Sequence, residues 1–416
     1  MSAKKRFAIL VGGGPAPGIN GVIAAATQHA LRSGHEVLGV REGFARLIKG
    51  DRACAPPLGD EEVESIARRG GSYLGISRAN PTKDPAKLEA AVSTLVELGV
   101  DKLITIGGDD TAFSAYKVSQ HSAGRLRVAH VPKTIDNDLD LPEGVSTFGF
   151  QTARHVGAQI VSNLLTDAQT TTRWFFVVAM GRKAGHLALG MGKAAGATLT
   201  LIGEEYAGTS LKAATVVDTL AGAVVKRAAL GLPYGVAVLA EGLVELLDEA
   251  EIASMGNVER DAHGHIRIAE IPFGDIVKAQ VQKRLAEIGA PATTIIAKNV
   301  GYELRCVDPT PFDAEYTRDL GYAAASFLLG GGSGAMVTVQ NGKLTPKAFD
   351  DILDPKTGRM RVRMVDAGSD NVRVARAFMT RLLTSDFESP DALARLASAT
   401  KLSPEAFKAA FAHVAA

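Results

Sequence analysis

The chain has 416 residues, with 46 Lys+Arg against 45 Asp+Glu and a formal net charge of +1. Its 46% hydrophobic and 22% charged residues exclude wholesale disorder, and its length suggests two or three domains. A charge this near zero gives no electrostatic reason to expect nucleic acid or an anionic membrane as partner, and two cysteines, Cys54 and Cys306, are too few for a disulfide framework or a thiolate zinc site.

The basic start, Met1–Arg6, is followed by only five apolar residues, Phe7–Val11, before Gly12-Gly13-Gly14. That is short of the roughly 7–15 apolar residues of a signal peptide, so the run reads as a strand and the chain as cytoplasmic. A helix from Asn20 to Ser33, closed by Gly34, and a strand Val37–Val40 follow. Asp84 and Pro85 mark the cap and first position of a helix ended by Gly99, with Leu88, Ala91, Val92, Leu95, Val96 and Leu98 on one face. Strand Lys102–Ile106, a helix from Thr111 and strand Arg127–Val131 complete a βαβ rhythm.

After a break at Pro142-Glu143-Gly144 the rhythm resumes. It runs through helix Thr152–Thr166, strand Arg173–Ala179, helix Leu211–Ala229 and strand Gly235–Leu239. Trp174, Phe175 and Phe176 read as core. Residues 249–290 read as a polar, helical insertion, and Thr293–Asn299 and Ala335–Val339 as strands. Ser389-Pro390 and Ser403-Pro404 each mark a capped helix start in the tail. The fold class is α/β: two doubly wound, Rossmann-like lobes with a helical C-terminal tail.

In such sheets ligands sit beyond the carboxyl ends of strands, where the unusual residues of this chain fall. Gly12–Gly18 allows backbone amides to approach an anion, or is simply a tight turn. Pro17 breaks the dinucleotide pattern and Ile19 the Walker pattern. Asp109-Asp110, after the third strand, suits Mg²⁺ or the N-terminus of the next helix. In Pro132–Asp138, Lys133 stands close to Asp136 and Asp138. Asp136-x-Asp138-x-Asp140 opens like a calcium loop, but Leu141 and Thr147 occupy its required Gly and Glu positions. The nine histidines show no metal-ligand spacing.

Seven stretches in order carry a resemblance. They are Gly13–Asn20, Gly70–Arg78, Gly107–Thr111, Pro132–Asp138, Met180–Arg182, Ala240–Gly242, and Gly301–Arg305 with Pro311-Phe312-Asp313. Over about residues 7–325 the chain resembles the phosphofructokinases, most of all the diphosphate-dependent branch. The resemblance implies the fold of that family, with a phosphoryl-donor lobe at 1–145, a sugar-phosphate lobe at 146–306, and 307–416 completing both lobes and adding the tail.

It also implies roles. Asp136 would take the proton from the sugar 1-hydroxyl, and Asp109 would hold Mg²⁺. Gly13, Arg78 and Lys133 would contact diphosphate. Thr134 would contact the sugar-phosphate end of the site or the transferring phosphoryl group, and Ile135 the substrate, with Met180, Gly181, Arg182, Glu241, Tyr302 and Arg305 on the sugar phosphate. Arg173 would serve a neighbouring subunit's sugar phosphate, making the enzyme a homodimer or homotetramer. ATP-dependent relatives typically carry Gly where Asp110 and Lys133 stand. A carboxylate at Asp110 would crowd and repel the ATP α-phosphate, and Lys133 supplies a point charge suited to a compact diphosphate. Pro15 departs from the family, where Asp is common. The implied activity is reversible, Mg-dependent phosphoryl transfer from diphosphate to fructose 6-phosphate, in glycolysis and gluconeogenesis. ATP as donor and sedoheptulose 7-phosphate as acceptor are the alternatives, and the motifs argue against another small-molecule kinase or an inactive regulatory subunit.

Overall fold

In the computed structural model, which describes residues 5–208, 211–254 and 271–416, the first strand is buried on both sides. Phe7, Ile9 and Val11 enter one hydrophobic core and Ala8 and Leu10 another. That period-2 split of a wholly apolar run is the mark of a sheet covered on both faces. The described strands, in chain order, are β1 (Arg6–Val11), β2 (Glu36–Val40), β3 (Val100–Gly107), β4 (Arg127–Thr134), β5 (Phe148–Gly149), β6 (Trp174–Ala179), β7 (Leu199–Leu201), β8 (Gly235–Ala240), β9 (Ile295–Val300), β10 (Ala335–Gln340) and β11 (Lys343–Ala348).

One sheet has the order β11-β10-β4-β3-β1-β2, parallel except for the β10–β11 hairpin, with β5 paired to the end of β4. The other has the parallel order β7-β8-β6-β9. Each lies in its own compact unit: Met1–Ala153 with Tyr302–Arg363, and Arg154–Gly301 with Met364–Ala416. Among the described residues no helix is long and apolar enough to cross a membrane.

The helix starts read from sequence are made as expected. Asp84 caps helix Pro85–Glu97 by accepting from the Ala86 amide, and Ser389 and Ser403 cap helices Pro390–Ser398 and Pro404–Phe411. Trp174, Phe175 and Phe176 are buried. The tail packs Leu382, Phe387, Leu396, Phe407 and Phe411 into the same core as Leu220 and Val224 of helix Ala213–Ala229.

Other expectations need correction. The helix expected from Thr111 begins at Asp109, so both carboxylates stand in its first turn. Strand β4 runs on through Pro132 to Thr134, because β3 still pairs at Gly107–Pro132 and β5 pairs with Lys133 and Thr134. The polar stretch at 249–290 contains helices Glu249–Ser254 and Phe273–Glu287, and 255–270 lie outside the described residues. Helix Pro311–Leu329 and strand β11 were not anticipated.

Asp313, in that unanticipated helix, is fully buried. Its carboxylate accepts from the Gly149 amide at 2.9 Å, the Thr152 amide at 2.7 Å and the Thr152 hydroxyl at 2.5 Å. Burial pushes this carboxyl above its ordinary range, and the three donors oppose the shift. Asp313→Ala strands two buried amides. It should lower unfolding stability by about 3 kcal/mol in urea titration, since each orphaned buried donor costs roughly 1–3 kcal/mol; a loss below about 1 kcal/mol would contradict this role.

Candidate active site

The carboxyl ends of β1, β3 and β4 are adjacent in the first sheet, so their loops converge. The loop after β1 turns through Gly13, whose φ of +84° suits a residue without a side chain, and whose amide donates to the Ser77 carbonyl at 3.0 Å. Asn20 anchors the approach to Ser77: its side chain donates to the Arg69 and Gly70 carbonyls and accepts from the Tyr73 amide. Arg78, exposed, therefore lies beside the glycine turn. At Gly14 a Cβ would collide with the Arg305 guanidinium, and the Lys133 ammonium lies 3.3 Å from where a Gly13 Cβ would be. Two cations thus rest directly on a bare double-glycine backbone.

Lys133 is 3% exposed and donates from Nζ to the Gly14 carbonyl. Burial pulls its pKa from 10.5 to about 8, with Arg305 adding to the fall and Asp136, Asp138 and Asp109 resisting it. Beneath it on β4, His130 is wholly buried between the Thr105 hydroxyl at 2.8 Å and the Gly107 carbonyl at 3.0 Å. A carbonyl only accepts, so Nε2 carries the proton and Nδ1 accepts from Thr105. Burial, opposed by the Gly107 contact and reinforced by nearby Lys133, takes this ring's pKa to about 3 and keeps it neutral.

Asp109 and Asp110 occupy the first turn of helix Asp109–His121, where the helix dipole favours negative charge. Asp109 is half-buried and Asp110 exposed. At the end of β4 the Asp136 amide donates to Thr134 Oγ1 at 3.0 Å, and the Thr147 hydroxyl donates to the Thr134 carbonyl at 2.8 Å. Thr134, Ile135 and Asp136 are all buried, and Asn137 follows in the left-handed conformation at φ +56°. Tyr302 is 71% exposed, with the Arg305 guanidinium 5.3 Å from its ring centre.

In the second unit Met180, Gly181 and Arg182 leave β6 beside Glu241, which leaves β8, because Ala179 pairs with Ala240. Glu241 Oε1 accepts from the Gly181 amide at 3.1 Å and the Arg182 amide at 2.7 Å. Burial pushes the Glu241 carboxyl up and the two amides pull it down. The same two bonds hold Arg182 at φ +53°, an uncommon conformation for a residue with a side chain.

The first unit therefore gathers Gly13, Asp109, Lys133, Thr134, Asp136 and Arg305, flanked by Arg78, Asp110, Ile135 and Tyr302. The second gathers Met180, Gly181, Arg182 and Glu241. Arg173 joins neither group. It precedes β6 at its amino end, the strand's six residues or about 20 Å from Met180, with the Asp167 carboxylate 3.9 Å from its Nε. Sequence reading missed Arg363, whose guanidinium donates to carbonyls of the loop after Asp136. The alternation of Arg359, Arg361 and Arg363 is the one local hint, and it does not name the loop these residues meet.

Residues 6–328 match the phosphofructokinase family model. The chain is 51% identical over 415 residues to the pyrophosphate–fructose 6-phosphate 1-phosphotransferase of Thermotoga maritima, covering 98% of both chains. It is 48% identical over 408 residues to the enzyme of the same name from Naegleria fowleri, covering 96% of this chain and 93% of that one. Its fold matches the crystal structure of a pyrophosphate-dependent phosphofructokinase from Nitrosospira multiformis with a TM-score of 0.69 at 18% identity, covering 92% of each chain.

The depressed pKa of Lys133 makes a signed prediction. Between about 8 and 10.5 the unfolded chain holds a proton on this lysine that the folded one has released, so folding gains stability as pH rises through that window. Unfolding free energies of wild type and Lys133→Met, measured side by side, should shift in favour of the wild type from pH 8 to 10.5. A constant difference across the window would mean that Lys133 keeps an ordinary pKa.

Proposed function

The chain belongs to the phosphofructokinase family, and from that premise we propose that it moves a phosphoryl group reversibly between diphosphate and the 1-hydroxyl of fructose 6-phosphate, giving fructose 1,6-bisphosphate and phosphate. The observation that carries the choice of donor is the seat of Lys133. Its buried ammonium lies on the Gly13–Gly14 backbone with the Arg305 guanidinium alongside, a compact double-cation cradle matched to a small, densely charged anion. Asp110, in the first turn of its helix, adds an exposed carboxylate that opposes a further phosphate of a nucleotide.

Catalysis on this reading is positioning and charge. The first unit would hold diphosphate through Gly13, Arg78 and Lys133, with Arg305 beside Gly14. Met180, Gly181, Arg182 and Glu241 of the second unit would receive the sugar phosphate. Asp136, kept in place by its amide bond to Thr134, would accept the proton of the 1-hydroxyl as that oxygen attacks phosphorus and phosphate leaves. Lys133 would counter the charge that develops on the transferring group.

Mg²⁺ fits the donor set. Asp136, Asp138 and Asp109 all act on the Lys133 ammonium, and Asp109 is half-buried at a helix start, as suits an ion that takes few protein ligands and keeps waters and phosphate oxygens. When bound at Asp109 it would supply charge neutralisation on the diphosphate. Arg173, set apart at the amino end of β6, would reach the sugar-phosphate site of a second copy, in a homodimer or homotetramer.

Asp136→Asn should fold normally and lose about 10²–10⁴-fold in turnover, the usual worth of a positioned proton acceptor; initial rates near wild type would remove Asp136 from the mechanism. The donor reading is tested by rates with diphosphate and ATP. Lys133→Gly should depress diphosphate-dependent turnover severely, and Asp110→Gly should relax the exclusion of ATP. A double variant with unchanged diphosphate kinetics and no gain in ATP binding would refute it.

A further inference from the structure

We propose that Arg363 is a positioning residue for the proton-accepting loop, clamping Asn137 in its left-handed conformation and so setting the direction of the neighbouring Asp136 carboxylate. The proposal rests on the reading of Asp136 as the base.

The clamp engages carbonyl oxygens of the loop. Arg363 Nε and Nη2 both donate to the Asn137 carbonyl at 3.2 Å, Nη2 also to Asn137 Oδ1 at 2.5 Å, and Nη1 to the Val145 carbonyl at 2.9 Å. Its own amide donates to the Asp138 carbonyl at 2.7 Å. One planar fork thereby ties together both ends of the loop that runs from Asn137 to Val145. The remaining oxygen demand of Asn137 is met by the Thr147 amide, which donates to Oδ1 at 3.1 Å. Around this core the strap continues. Val362 bridges Leu139, Arg361 lies 3.6 Å from the Asp140 carboxylate, and Lys347 of β11 donates to the Asp140 carbonyl at 3.1 Å.

A guanidinium that is half-buried against backbone carbonyls loses hydration. Its pKa falls for that reason, with Asp140, Asp138 and Tyr316 opposing the fall. The feature is costly as a stabilising device and well suited to fixing a backbone path. Asn137 is where that path is uncommon: φ +56° immediately after Asp136 turns the chain so that Asp136 and Asp138 are both buried on the Lys133 side. Without the fork, Asn137 relaxes toward ordinary backbone and the Asp136 carboxylate moves. Displacements of about 1 Å at a reacting group cost on the order of 10²-fold in rate.

The test compares Arg363→Met, Arg363→Lys and Asp136→Asn in the full chain, with kcat and both KM values measured beside the thermal midpoint. Arg363→Met should lower kcat about 10–100-fold with each KM changed by less than about threefold, because no contact to either substrate is lost. Arg363→Lys keeps the charge and loses the fork, so it should recover only part of kcat; it also serves where the Met variant folds poorly. Methylguanidine added to Arg363→Ala should restore part of kcat without changing either KM, a response that a purely structural residue would not give. A folded Arg363→Met with wild-type kcat, while Asp136→Asn is inactive, overturns the clamp alone. Loss of kcat and both KM values in step with the thermal midpoint, without chemical rescue, overturns it as well. An active Asp136→Asn would instead overturn the reading of the base, and the clamp with it.

Discussion

Burying the Lys133 ammonium is the constraint on which the first unit's site depends. A charge taken out of water at 3% exposure must be compensated at contact distance, and here the compensation is a backbone carbonyl at Gly14 and the field of three carboxylates. The glycines follow from it: a side chain at Gly13 would press on the ammonium, and one at Gly14 on Arg305. The neutral state of His130 follows too, since a second buried cation one layer below would add repulsion to desolvation. Asp136 and Asp138 are tolerated in burial because Lys133 is there.

The second unit meets a related problem with the opposite sign. There the half-buried charge is a carboxylate, Glu241, and its compensation is two backbone amides at the end of β6. The cation of that group, Arg182, stays exposed on a left-handed turn those amide bonds hold in shape. Both arrangements exploit the same property of parallel sheets, which release strands side by side with unpaired backbone groups at the carboxyl end. One unit uses a carbonyl to seat a cation and the other uses amides to seat an anion.

Where local chemistry dictates structure, the sequence was enough. Asp84, Ser389 and Ser403 are caps because their oxygens satisfy amides two or three residues on, and the apolar runs Phe7–Val11 and Trp174–Ala179 had to be interior strands. The glycine loop, the paired aspartates and the Lys133–Asp136 run were legible as motifs. Pro132 read as a strand end because proline breaks ladders, yet β4 continues past it, with parallel partners on Gly107 at one side and β5 at the other. Strand β11 is polar and exposed, so hydrophobic pattern misses it; its signal was Asn341-Gly342, both with positive φ, the usual two-residue hairpin turn. Arg363 had no such signal. Its acceptors lie 218 to 226 residues earlier, and only the strap that carries Val362 to Leu139 brings them within reach.

A chain with one net positive charge has little field to draw a polyanion from a distance, and charges on its surface are screened within about 10 Å at 0.1 M salt. Discrimination for a small phosphate compound must then be made at contact, by groups that already bear the cost of desolvation. The lowered pKa of Lys133 reflects that cost. An anion seated on Gly13 and Gly14 supplies the missing counter-charge, so ligand binding and proton binding at Lys133 favour one another by linkage. The same thermodynamic coupling explains why the cradle is built from a lysine beside an arginine. Arg305 brings a planar guanidinium that can grip phosphate oxygens in pairs. Lys133, poised near pH 8, is the member whose charge the ligand itself secures.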